Sequence, residues 1–575
     1  MTEYVGTKLH LGSASSMPDE AIKAVLSTPV IFLDLETTGL SAYRDKIALI
    51  QLHDRASNQT LLVQTGYKEP WLVELFQRKD CTFVGHNVSM FDMQFLAEQY
   101  GAEIFNLRWF DTLIAESLIS TSGRRDVSMS LRASVRRRVG LELDKNIQHG
   151  AWDSTVLTQD QVRYAVQDVL ALVDLYDAQL SKAAEQGSQA ALRLEMEVAP
   201  ILGRMSWNGL HLPQEDFYKY VRAQELLAGT AEDTLIAAMG KINYNSPKQV
   251  ISALHRNGIM LDSTNNAVLV DYLAIAQPGP KYDIIKALVD YRAPKKRASM
   301  YSTAWYMEHV TGGVVHPLFW SIGADTLRMS SSKPNLQQVP KDARGMFGNV
   351  NGLSVVSVDY SQLEIRVAAA ISQDQALLDV LNHDDVHTAI AAQIFGIEPD
   401  AVNGAQRKAA KAASFTLLFG GSAKTLYDYS RRMGSAMTIE QAEAVFKRFF
   451  TTFAGLRATR QKAQAMVIDK RFLTIKLPGG ARRVLFGDKL NPQVVLNTTV
   501  QATAAIGLKH GLAEARRRGL DVFLGAAVHD ELVAMVPAPY AETFGAELSE
   551  AMIVGMSNVV NCPITTETKI GRSWT

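Results

Sequence analysis

Three apolar runs in this chain end on carboxylates, and no other feature restricts the fold as tightly. They are VIFLDLE at 30–36, VVSVDY at 355–360 and AAVHDELVAMV at 526–536. Residues two apart on a strand share a face, so Asp34 and Glu36 can reach one site. Asp359 ends the second run, while His529, Asp530 and Glu531 read as a turn between two strands. Asp359 and Asp530 are so distant in sequence that only folding can bring them together. Converging carboxylates repel one another unless their charge is cancelled, and hard oxygen ligands favour Mg²⁺ or Mn²⁺.

At 575 residues the chain is too long for one core. Its first region, to about residue 185, alternates short apolar strands (30–33, 82–84) with helical stretches, which predicts an α/β domain. Leu180–Gln189 reads as a polar, Ala-rich joint. Residues from about Leu192 to Thr303 are mainly helical, with Ser246 placed to cap a helix starting at Pro247. Beyond them, strand-like runs surround a helical insert at about 375–470, giving a mixed α/β class. No run approaches the roughly 20 apolar residues of a membrane span, and the N-terminus lacks signal-peptide order. Cys81 and Cys562 show no metal-ligand spacing and fit a reducing cytoplasm.

Lys+Arg and Asp+Glu both number 59, so net charge does not announce a polyanionic partner. Phosphate binding depends on local charge, and basic clusters occur at 136–138, 295–297, 407–411, 482–483 and 516–518. Each cluster taken alone is better read as solvated surface.

Two further motifs accompany Asp34 and Glu36. Asp92 lies in HNVSMFDMQFL, and Tyr164 and Asp168 lie in YAVQD, four apart and so on one helix face. Four carboxylates sharing two divalent ions suit phosphodiester hydrolysis, with Tyr164 orienting the water. This segment, roughly 28–180, resembles the DEDDy 3′→5′ exonucleases, the proofreading domain of family A polymerases. The resemblance implies an RNase H-like domain over residues 1–185, with Asp34, Glu36, Asp92 and Asp168 as metal ligands.

A second set occupies the remaining two thirds. In RKAAKAASFTLLFG (407–420), Arg407, Lys411, Phe415 and Phe419 are spaced by four. On a helix they drift only about 40° per step, forming one stripe of two cations followed by two rings. Such a stripe suits a nucleotide, with phosphates at one end and the base at the other. The alternative is an amphipathic helix that buries both Phe rings in a core.

DYSQLEIR, this helix and VHDEL together resemble motifs A, B and C of the family A (DNA polymerase I type) DNA polymerases, in order. TLRMSSSKPNLQQVP (326–340), NTTVQATAA (497–505) and Asp385-Val386-His387 resemble further segments of that family. The resemblance runs from about 195 to the C-terminus. It implies a right-hand polymerase domain at 190–575, with thumb at about 195–310, palm at about 311–375 and 490–575, and fingers at about 376–489. It implies templated extension of primer 3′ ends with dNTPs and two Mg²⁺ per active site, Mn²⁺ able to substitute.

Carried over residue by residue, Asp359, Asp530 and the Tyr360 backbone are metal ligands. Lys411 and Arg407 bind the triphosphate, and Lys411 protonates pyrophosphate. Phe415, Phe419, Gln362, Tyr360, His387 and Glu364 belong to the nucleotide site, with Glu364 excluding a ribose 2′-hydroxyl. Arg328, Asn335, Gln337, Asn497, Gln501, His529 and Glu531 contact DNA. Three positions depart from the family pattern: Phe419 stands for Tyr, Leu327 for Gly, and Ala502 for Gly.

Only 33 residues precede Asp34, which leaves no room for a 5′-nuclease domain and reads as a compact, phage-like polymerase acting in replication. The expected partners are primer-template DNA and dNTPs, with helicase, primase or other replisome proteins open. The expected protein is a cytoplasmic monomer (host cytoplasm if phage-encoded) with no membrane contact. The rivals are a stand-alone 3′→5′ exonuclease whose C-terminal region only binds nucleic acid, a templated RNA polymerase, and a non-catalytic binder.

Overall fold

A computed structural model describes residues 7–64, 68–120, 127–143, 152, 156–432 and 437–575. The first six residues, which carry much of the signal-peptide reading, lie outside that set.

The N-terminal lobe is built on a six-stranded mixed sheet. Its strands are β1 (Lys8–Ser13), β2 (Val30–Thr37), β3 (Ile47–Asp54), β4 (Gln59–Gln64), β5 (Thr82–Gly85) and β6 (Arg108–Asp111), in spatial order β1-β4-β3-β2-β5-β6. β2 lies inside the sheet, antiparallel to β3 and parallel to β5. Its apolar run Ile31-Phe32-Leu33 is fully buried, as expected of a central strand covered on both faces. Helix α1 (Asp92–Tyr100) follows β5, and α2 (Gln159–Gln186) packs across β2 and β3.

The expected joint at 180–189 is not a linker. Residues 180–186 complete the last turns of α2, and α3 (Gln189–Asn208) begins three positions later. Ala, Lys, Glu and Gln are strong helix formers, so this polar segment continues the helix. Gly187 stops it, at φ 68°, in the left-handed region that suits glycine. The two lobes then share one core: Phe32, Val84 and Phe110 belong to the same buried cluster as Leu194, Ile201 and Leu202 of α3.

α4 (Gln214–Met239) and α5 (Pro280–Met300) pair with a core of their own, centred on Leu235, Leu254, Ile285 and Leu288. Each such side chain, fully buried, contributes about 1.5–3 kcal/mol. α3, placed with these helices in the sequence reading, belongs instead to the main core. The helix at Pro247 does start there with Ser246 at its N-cap position, although the Ser246 side chain makes no capping bond.

The second sheet has four antiparallel strands from distant segments. β7 (Leu353–Tyr360) is followed by α6 (Leu363–Ser372), α7 (Val386–Phe395), α8 (Gly404–Leu417) and α9 (Ala454–Val467). The hairpin β8 (Phe472–Lys476) and β9 (Arg482–Phe486) then leads to the long α10 (Pro492–Arg517). β10 (Leu524–Val528), β11 (Glu531–Pro537), α11 (Ala541–Ser557) and β12 (Thr566–Gly571) complete the chain. Spatial order is β10-β11-β7-β12, with α10 and α11 packed together. The expected sheet with a helical insert is what forms. Among the described residues no helix is long and apolar enough to cross a membrane.

One buried ion pair joins α3 to α10. Lys509 Nζ donates to Glu195 Oε1 at 2.5 Å, Ser321 donates its hydroxyl to the other carboxylate oxygen, and Lys509 is wholly buried. Glu195→Gln removes the charge that compensates the ammonium and is expected to cost about 3–5 kcal/mol, whereas the double change Glu195→Met/Lys509→Met should be close to neutral. Urea unfolding of the three proteins checks this; a single change no worse than the double one would refute it.

Candidate active sites

The first carboxylate centre forms where β2, α1 and α2 meet. Asp34 and Glu36 alternate with the buried Leu33 and Leu35, so the pleat presents both acids on one face. Asp92 is the first residue of α1, and its Oδ1 is buried with no hydrogen-bond partner. Tyr164 and Asp168 lie one turn apart on α2, with the Tyr164 hydroxyl bonded to Asp168. Gln51 on β3 donates to Glu36 at 3.3 Å.

The electrostatics confirm the convergence. Asp34 is held well above the usual carboxylate range, first by burial and then by the charges of Asp92, Glu36 and Asp168. Burial, followed by the Asp168 charge, pushes Glu36 up to about 8. Burial also carries Asp92 to about 8. Burial and the neighbouring carboxylates raise the Tyr164 phenol as well. Among the described residues no three acidic, His or Cys side chains close to ligand distance of a common point. The unpartnered Asp92 oxygen and the mutual repulsion nevertheless fit a divalent cation, which would supply the missing positive charge.

The second centre depends on sheet register. Asp359 pairs directly across β7–β11 with Glu531, and Val528 pairs with Glu531 across β10–β11. Only His529 and Asp530 remain for the turn, with His529 at φ 60°. Asp530 is thereby set beside Asp359, and its carbonyl accepts the Tyr360 N–H at 3.4 Å. Burial, then the charge of Asp530, pushes Asp359 up to about 7. Asp530 is raised by burial and partly relieved by Arg328. Asp359 Oδ1 is buried without a partner, so this pair too fits a cation.

Helix α8 carries the stripe of cations and rings, packed against α7. Asn403 and Gln406 exchange reciprocal 2.9 Å bonds that start the helix. Its Ala residues at 409, 410, 412 and 413 are buried, while Arg407, Lys411 and Phe415 are exposed, Phe415 by 43%. The reading in which the Phe rings fill a core therefore fails at 415. Phe419 lies past the helix end, half-buried, just before Gly420 at φ 80°.

Arg407 is held by Asp385 through bonds of 2.6 and 3.2 Å, and Asp385 also caps α7. His387 packs against Phe415 at 6.0 Å between ring centroids. Burial, with the Lys411 and Arg407 charges, pushes His387 down to about 4, so the ring is neutral at neutral pH.

Other expected site residues fall around these groups. Arg328 donates to Glu364 Oε1 at 2.8 Å. Gln362 initiates α6 at φ 53° with its Oε1 buried and unpartnered. Asn335 is exposed, and the Gln337 amide donates to the Met329 and Ala527 carbonyls. Asn497 and Gln501 share one face of α10, both half-buried, and His529 is exposed at the hairpin tip.

Two expectations need correction. Glu531 is not a free surface contact: it is buried, with Oε2 bonded by Arg344 and Oε1 by Trp574 Nε1, each at 2.9 Å. It shares a face with Asp359, its direct cross-strand partner, and its carboxylate is taken up by these two donors. The Tyr360 side chain likewise points away from the centre and donates to the Met552 carbonyl at 2.6 Å, leaving only its backbone facing Asp530.

The departures at 327 and 502 acquire physical meaning. Leu327 adopts φ 59°, a conformation that glycine takes freely and leucine takes at about 1–2 kcal/mol, yet it is 2% exposed within the core. Burial of its side chain offsets that strain. Ala502 is fully buried inside α10.

Arg344 and Trp574 escaped the sequence reading. The Arg344 guanidinium lies 4.3 Å from the centre of the Trp574 ring. No spacing marks either residue, because the contact exists only after the C-terminal strand has docked.

Two protein families match the chain. The family described as DNA polymerase family A matches residues 221–575, and a 3′-5′ exonuclease family matches residues 11–183. DNA polymerase I of Aquifex aeolicus is 28% identical, covering 97% of both chains. DNA polymerase I of Treponema pallidum is 26% identical over 96% of this chain but only 58% of its own length. Thermostable DNA polymerase I of Thermus filiformis is 32% identical over 51% of this chain and 36% of its own. The fold matches the POL domain of Pol1 from M. smegmatis, solved with DNA primer-template and dNTP, at a TM-score of 0.81 and 21% identity, over 98% of this chain and 99% of that one. The compact size behind the phage-like reading is shared by the Aquifex relative.

Neutralising one of two facing carboxylates should relieve repulsion. Asp359→Asn is expected to leave stability unchanged or raise it by up to about 1 kcal/mol in chelating buffer. Thermal melting checks this, and a loss exceeding about 1 kcal/mol would show that the pair is not under electrostatic stress.

Proposed function

Because the chain belongs to DNA polymerase family A and carries a 3′-5′ exonuclease domain ahead of its polymerase region, we propose that it extends primer 3′ ends with dNTPs and removes misincorporated nucleotides at a second centre. The observation that carries this reading is the meeting of Asp359 and Asp530 at the β7–β11 register, in a chain that also exposes the stripe of cations and rings on α8. A stand-alone nuclease has no use for that arrangement.

We assign the second sheet with α10 and α11 as palm, α7 to α9 with their hairpin as fingers, and the α4–α5 lobe as thumb. Asp359, Asp530 and the Tyr360 carbonyl would hold two Mg²⁺ ions, with Mn²⁺ a workable substitute. Such ions, when bound, stabilise an attacking primer alkoxide and the charge on departing pyrophosphate. Lys411 and Arg407 draw the triphosphate onto α8, and Arg407 exchanges Asp385 for phosphate oxygens of similar geometry. Lys411 carries the proton that pyrophosphate needs on leaving. The Phe415 ring, supported by neutral His387, stacks beside the sugar and base.

Glu364 excludes a 2′-hydroxyl. With Phe419 lacking a hydroxyl, the 2.8 Å bond from Arg328 holds that carboxylate. Arg328, Asn335, Gln337, Asn497, Gln501 and His529 line the primer-template path. In the exonuclease centre, Asp34, Glu36, Asp92 and Asp168 form the cation cradle, and Tyr164 positions the attacking water. Replication is the cellular role that this pairing of activities serves.

Asp34→Ala should reduce 3′→5′ degradation of a labelled single strand by at least about 10³-fold while primer extension persists. Loss of both activities together would refute separate centres. Asp530→Asn should lower extension by a similar factor with duplex affinity within about threefold of wild type, measured by fluorescence anisotropy. Near-normal extension by that variant would remove the assignment of its carboxylate.

A further inference from the structure

A cavity of about 440 Å³ lies between the helical insert, the β8–β9 hairpin and α10, and shares no lining residue with either carboxylate centre. Its walls come from α6, the end of α8, α9, β8 and α10, with Ile371, Leu417, Leu456, Met466 and Leu496 among the apolar lining. Protein interiors contain few voids larger than a water molecule, and a space of this size matches pockets that hold small ligands.

The charge around it has one sign. Arg460, Lys462 and Lys476 are the only ionisable residues of the lining, and no acid accompanies them. Lys462 and Lys476 are exposed, and among the described residues neither pairs with a carboxylate. Arg460 is fixed in place: it donates to the Gly421 carbonyl at 2.8 Å and lies over the Phe450 and Phe446 rings at 5.2 and 5.5 Å. An apolar chamber edged by three cations is complementary to a molecule with a hydrocarbon body and one anionic head.

We infer that this cavity binds an amphipathic carboxylate of fatty-acid type and thereby restrains α8, whose last turn forms part of the wall. Leu417 and Leu418 of that turn line the cavity, and the same helix carries Arg407, Lys411 and Phe415. An occupant wedged between Leu417 and Leu496 opposes any shift of α8 over α10. Nucleotide addition slows, while the exonuclease centre in the other lobe is untouched.

The test uses the full chain with decanoate below its micelle concentration, and decanol as the uncharged control, in isothermal titration calorimetry. Decanoate should bind saturably, at least about tenfold more tightly than decanol, and should slow primer extension without altering single-strand degradation. Ala463→Trp, which fills the chamber, should abolish binding while extension without decanoate stays within about twofold. Lys462→Glu/Lys476→Glu, exposed changes that spare the core, should weaken decanoate about tenfold and leave decanol unchanged. Absence of saturable binding would overturn the inference, as would equal affinity for decanol or undiminished affinity in the rim variant. Binding without slowed extension would retain the site and overturn the restraint on α8, and the calorimetric result stands whether or not the chain polymerises DNA.

Discussion

Like charges forced together by sheet register are the constraint on which the rest of this structure depends. β7 and β11 pair residue for residue from Leu353↔Pro537 to Asp359↔Glu531, and that ladder sets the two-residue turn that places Asp530. Both strands are buried on both faces, so the backbone ladder and the packing of individual side chains together fix the position of the carboxylate. Val355, Val356 and Val358 on one strand and Leu532, Val533 and Ala534 on the other are all buried. Their packing offsets the cost of the burial, and of the repulsion from Asp530, that together raise Asp359 above its ordinary range.

Several arginines of the basic clusters are engaged within the fold. Arg137 and Arg138 pair with the buried Glu116, Arg483 with Asp325 and Thr498, and Arg516 with the Phe105 carbonyl. Arg517 and Arg518 pair with Glu514. Arg344 clamps Glu531 beneath the hairpin. Lys411, exposed, differs from these in facing solvent on α8.

The local parts of this architecture were legible in the sequence. Apolar runs ending on carboxylates became β2, β7 and the β10–β11 hairpin, and the four-residue spacing from Arg407 to Phe415 became an exposed stripe. Segments whose outcome depends on distant partners were not legible. The residues at 180–186 look like a joint by polarity, yet their helix propensity and contact with the core extend α2. Glu531 sits beside Asp530 in the sequence, but Arg344 and Trp574, both distant in sequence, bury and bond its carboxylate. Phe419 continues the spacing of four, although the helix ends at Leu417 and the ring follows a turn instead.

The two centres solve one problem with different supports. In the N-terminal lobe the acids come from a strand, a helix start and a long helix, so three elements must dock before the charges meet. In the second sheet a strand and a hairpin suffice, and their relative position is set within one backbone ladder. The first arrangement depends on side-chain packing along α2, whereas the second is as rigid as the ladder that carries it. The difference lies in how many independently docked elements must agree before the charges meet.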